Sequence, residues 1–166
     1  GFVELIPLPE FRRAAERAAP LYADTDETFF LEAALDTAYH AGLVERHLSL
    51  PVVHRDGTAV LVRSDVAVYN ILTLFRLKLS YGLRYEQALP FLVPGPVGTH
   101  RLEGLYDYPD FGDMLARIPA DLLPRGTLAE LRTIADLERA LWERALQRAN
   151  TQFYQSVADL GAAVAF

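Results

Sequence analysis

The 166 residues carry a net charge of −6, 51% hydrophobic content and no cysteine. That length suits one domain, or one domain with an appended helical arm, with ample material for a core, and the acidic balance argues against a general nucleic-acid or anionic-membrane surface, since both need a basic footprint. Without cysteine there are no disulfides, no thiol catalysis, and no zinc-thiolate or iron–sulfur sites of the usual kind.

The chain opens on Gly1 and not Met, the expected mark of a tag remnant or of a piece of a longer protein. Pro7 and Pro9 forbid a helix over the apolar opening from Phe2 to Pro9, which reads as a strap on the core. Glu10 to Ala19 has helical spacing and ends at Pro20. Asp24-Thr25-Asp26 supplies helix caps, and Phe30, Leu31, Ala34, Leu35 and Ala38 recur at three-to-four spacing, so a helix is predicted from about Asp26 to Ala41, ending before Gly42. From Leu48 to Ser64 the period changes. Pro51-Val-Val-His54, then Arg55-Asp-Gly57, then Thr58-Ala-Val-Leu-Val62 is a β-rich run, an Asp-Gly turn and a second β-rich run, which predicts a β-hairpin over about 50–63. Ser64-Asp65 caps the next helix, which runs to about Ser80 and is apolar almost all round, as a central core helix is. A turn at Tyr81-Gly82 and a short helix from Arg84 to Phe91 follow. Val93 to Asp110 is a long loop rich in Pro and Gly, of a length that is usually functional or mobile. Phe111 to Ile118 is a short helix, and Pro119 to Gly126 a linker.

After Gly126 there is no glycine or proline until Gly161, so Thr127 to Leu160 reads as one helix, roughly 50 Å long. A compact domain of this size is about 40 Å across, so the helix is expected to overhang its own body and meet a partner, most simply a second copy. Leu131, Ile134, Leu141 and Ala145 fit a heptad, but Glu138, Arg148 and Gln152 interrupt its seam, and the apolar stripe drifts through Leu141, Ala145, Ala149, Phe153 and Val157. A self-contained coiled coil is disfavoured. A helix packed partly on its own domain and partly on a neighbour is expected, with the apolar end from Val157 to Phe166 docked.

The segment Leu35-Asp-Thr-Ala-Tyr-His-Ala-Gly-Leu-Val-Glu-Arg46, followed by the predicted hairpin ending Ala59-Val-Leu-Val-Arg63-Ser-Asp65, resembles the winged helix-turn-helix regulators. The resemblance implies a recognition helix, a two-stranded wing on which Arg55 and Arg63 would contact phosphate, and dimerisation through a long terminal helix. The helix ahead of the wing presents Glu27, Glu32 and Asp36 with no basic residue, where base and phosphate contacts call for Arg, Lys, Asn, Gln or Ser.

Glu32, Asp36 and His40 share one helix face at four-residue intervals and are the candidate start of a metal site, though the Glu-x-x-His pairs of helical di-iron proteins are absent. Gly95-Pro-Val-Gly98-Thr99-His100-Arg101 lacks the Gly-Lys-Ser/Thr ending of a phosphate loop, and no Gly-x-Ser-x-Gly elbow occurs. Leu74 to Leu89 is faintly similar to a helical segment of some insertion-sequence transposases, and reads more simply as two core helices and a turn. Tyr106, Tyr108 and Phe111 mix with acids in a loop, a composition suited to protein contact.

The expected fold is therefore mainly α: a helical domain with one β-hairpin over 1–126 and a long oligomerising helix over 127–166. The expected function is a non-catalytic regulatory or protein-interaction domain, without cofactor, cytoplasmic and off the membrane. It would be dimeric through Leu141, Ala145 and Phe153, with Tyr106, Tyr108 and Phe111 at a working surface. A winged-helix DNA-binding regulator is the alternative, and a metal-dependent helical enzyme using Glu32, Asp36 and His40 the second.

Overall fold

The computed structural model describes residues 2–94, 102–124 and 126–164, and their side chains except those of 2, 3, 53 and 156–164. A 3-10 turn at Phe2–Leu5 leads into helices α1 (Pro9–Thr25), α2 (Phe29–Ser49), α3 (Val52–Leu79), α4 (Tyr85–Ala88), α5 (Phe111–Leu115) and α6 (Ile134–Val164). Further 3-10 turns lie at Leu89–Phe91 and Leu128–Glu130.

Helix α3 is the axis of the fold. Val66, Ala67, Val68, Ile71, Leu72, Leu74, Phe75 and Leu77 are all buried along it, and α2 and α6 both pack on it while α1 packs on α2. Ala14, Ala15 and Ala18 are the buried face of α1, small side chains that let two helices approach closely. Phe30 meets Tyr81 and Phe91 at ring-centroid distances of 5.1 and 5.8 Å, which closes the core at the far end of α3. There the chain reverses at Gly82, whose φ of 62° costs glycine no strain, with Gly82 N–H donating to Lys78 O at 3.1 Å in the pattern that terminates helices.

Among the described residues there is no β-strand, so the expected hairpin over 50–63 is corrected: Val52 onward is the first half of α3. An isolated two-stranded hairpin is marginal in water, and this one would have no sheet to join. The helical form gains contacts instead. His47 Nδ1 and Thr58 Oγ1 lie 2.9 Å apart, and Arg55 Nε donates to Leu50 O at 2.7 Å. Val62 and Val66 join Val93 in a small buried cluster against Leu43 and Val44. Helices also run through Pro20 and Gly42, both expected as stops. Glycine costs a helix interior about 1 kcal/mol, less than the burial that continuing the helix secures.

Helix α6 begins later than Thr127. Thr133 Oγ1 accepts from Asp136 N–H at 3.1 Å while Asp136 Oδ2 accepts from Thr133 N–H at 3.1 Å, a reciprocal cap. The Thr133 hydroxyl, and after it the Arg132 backbone N–H, hold the Asp136 carboxyl below the usual carboxylate range. The 126/127 boundary does not separate two cores: Leu131, Leu137, Ala140 and Leu141 belong to the main hydrophobic cluster.

Candidate functional site

Trp142 lines two of the depressions beside α6. The first is a polar cleft of about 210 Å³ between α2, α3 and α6, with Glu32, Asp36 and His40 on one wall and Tyr69, Thr73, Arg76 and Glu138 on the others. The three α2 residues do share a face, as their spacing requires. They do not gather a metal, since no cluster of three His, Cys, Asp or Glu suited to one exists among the described residues. His40 is engaged elsewhere: its Nδ1 lies 3.0 Å from Asp65 Oδ2, at ion-pair distance but not aligned for a hydrogen bond, and its ring rests 4.4 Å from that of Tyr69.

Arg76, Glu138 and Tyr69 tie the helices around the cleft together. Arg76 donates to Glu138 Oε2 at 2.9 Å and so ties α3 to α6, a half-exposed pair of the kind that contributes at most about 1 kcal/mol. The hydroxyls of Thr37 and Tyr69 lie 2.8 Å apart and share the carbonyls of Ala33 and Phe91. Burial pushes the Tyr69 phenol up to about 12, so it is neutral at ordinary pH. Burial also raises the Asp36 carboxyl; His40 offsets that, Glu32 adds to it, and Arg76 offsets it.

The second depression is an apolar groove of about 440 Å³. Tyr39 and Leu43 of α2, Leu61 and Val62 of α3, and Trp142, Leu146 and Ala149 of α6 line it. Tyr39, Leu61, Trp142 and Leu146 are large apolar side chains left exposed. The same face of α6 continues beyond the groove to Phe153, 64% exposed. Asn150, Thr151, Tyr154 and Gln155 are exposed as well, so α6 emerges from the body of the domain after Ala149.

The expected interaction residues divide. Leu141 is 1% exposed and part of the core, so it is not available to a partner. Ala145 is half-buried at the groove edge, and Phe153 is free to meet one. Tyr106, Tyr108 and Phe111 are half-buried and pack against the core. Phe111 sets its edge on Phe75 at 5.5 Å, Tyr106 packs on Tyr85 and accepts from Lys78 at its carbonyl, and Arg117 covers Tyr108. Arg55 and Arg63 stand on α3, with no wing between them. The Gly95 to Arg101 segment and the side chains of Val157 to Phe166 lie outside the described residues.

Sequence reasoning missed Trp142, Leu146, Leu61 and Tyr39. The signal was present in α6: Trp142, Leu146, Ala149 and Phe153 are spaced four, three and four, one helical face. The stripe through Leu141, Ala145, Ala149 and Phe153 steps by four, and each step rotates it by about 40°. It therefore starts on the core face and ends on the groove face.

The fold thus defines a mainly helical domain with an apolar groove beside an overhanging helix. The chain matches no family model, no curated protein and no solved structure. His54–Leu79 within α3 is long and apolar enough to cross a membrane by length and composition, and 61% of its apolar window is buried inside the domain.

Proposed function

We propose that this chain is a non-catalytic interaction domain that self-associates through the outer face of α6 and the groove beside it. The observation that supports this reading is the continuous exposed apolar strip of Tyr39, Leu61, Trp142, Leu146 and Phe153. Aromatic enrichment and charge depletion are what mark the centre of a protein interface. In the neighbouring cleft Arg76 pairs with Glu138 and Tyr69 with Thr37, ties between the helices, and DNA is not part of the proposal because the wing on which that alternative rested is helix.

The test is mass in solution by light scattering across a concentration series. The expected result is a dimer that Leu146→Glu weakens by at least about 30-fold, as the loss of a central interface anchor does, with most of its far-UV helical signal kept. A wild-type chain that stays monomeric at every concentration overturns the reading.

A further inference from the structure

We infer that two copies pair with their α6 helices antiparallel, so that the overhanging half of each fills the other's groove. This rests on the self-association reading above and adds its geometry.

Three observations carry it. The first is charge. From Ile134 to Arg148, α6 carries Asp136, Glu138, Arg139, Glu143, Arg144 and Arg148, whereas from Ala149 to Ala158 it carries no charged residue. A stretch of helix in water does not ordinarily shed its charges, but the buried centre of an interface does. The second is shape. The groove lies beside the first half of α6, and exposed Phe153 stands on the second. Parallel pairing opposes groove to groove and leaves both unfilled, while antiparallel pairing sets each protruding half into a groove. The third is register. Trp142, Leu146, Ala149 and Phe153 fall within a sector of about 60°. With Leu146 opposite the partner's Phe153, the two-fold axis passes between residues 149 and 150. Glu143, Arg144 and Arg148 then lie level with the partner's Ser156, Gln155 and Thr151, so no like charges come level.

Because the chain has no cysteine, single cysteines report the register directly. Disulfides form only when Cα atoms come within about 7 Å. Under mild oxidation Ala149→Cys, next to the axis, is expected to form covalent dimers with itself. Leu146→Cys and Phe153→Cys are each expected to fail alone and to cross-link when mixed. Self-cross-linking by Leu146→Cys and Phe153→Cys as efficient as that of Ala149→Cys would establish parallel pairing and overturn the inference. A dimer by light scattering in which no single variant and no mixture cross-links would place the contact on another face and overturn it equally. A monomer by light scattering is instead the failure of the underlying self-association reading.

Discussion

Asn70 holds the least conspicuous junction of the fold. Its amide donates to Val93 O at 3.0 Å, and its carbonyl accepts from Val93 N–H at 2.9 Å, so one buried side chain replaces the ladder partner that an irregular backbone segment lacks. Both residues are buried. Removing the amide strands an N–H and a C=O away from water, each at a cost of about 1–3 kcal/mol. Asn70→Ala is therefore expected to lower unfolding stability by about 2–4 kcal/mol, read as a shift of the urea midpoint with unchanged slope. A shift of only a few tenths of that size would mean that Val93 finds other partners. Nothing local in the sequence discloses this role, because a lone Asn among apolar residues of α3 has its partner 23 positions away. The α6 start was legible and went unread: Thr133-Ile-Ala-Asp136 is a short-range cap signature, outweighed by the longer run of residues free of glycine and proline.

At the scale of elements, what could be read from the chain was periodicity, and what could not was competition between periods. The all-round apolar pattern of Val66 to Leu79 marks a central helix, and the structure puts it at the axis. The stretch from Val52 to Val62 carries β-branched residues and an Asp-Gly pair, and local preference there favours strands. In the helical form Val62 and Thr58 find partners on α2, and tertiary contact outweighs local preference. Gly57 decides between the two by experiment. In α3 it is exposed, and a β-carbon there would meet no atom within 4 Å, so Gly57→Ala is expected to stabilise the protein by about 0.5–1 kcal/mol. In an Asp-Gly turn the same change would force alanine into positive φ and destabilise. Thermal melts of this one variant separate the outcomes by sign. The candidate site was half legible for a related reason: Phe153 and Ala145 lie on the drifting stripe, while Tyr39 and Leu61 come from helices whose mutual placement no spacing within one element reveals.

At the scale of the whole molecule, the proposed dimer would tie the stability of α6 to the copy number of the chain. The helix is about 46 Å long at 1.5 Å per residue over 31 residues, and among its described side chains those buried in the core, Leu137, Ala140 and Leu141, lie in its first half. Helices of fewer than about 12–15 residues are marginal in water without packing, so the stretch from Asn150 is expected to owe its order to the partner. Association stabilises the folded form by mass action. The Tm is thus expected to rise with protein concentration in the wild type and to become independent of it in Leu146→Glu, together with a loss of part of the helical signal. Salt provides the second axis of the same measurement. Screening weakens contacts between exposed charges but leaves apolar burial in place, and the stretch from Ala149 to Ala158 is uncharged. The concentration dependence is therefore expected to persist at high ionic strength. A Tm that responds to salt and not to concentration would trace the stability of α6 to ion pairs such as Arg148 with Asp121, 3.5 Å apart on its own body. The overhang would then stand without a partner.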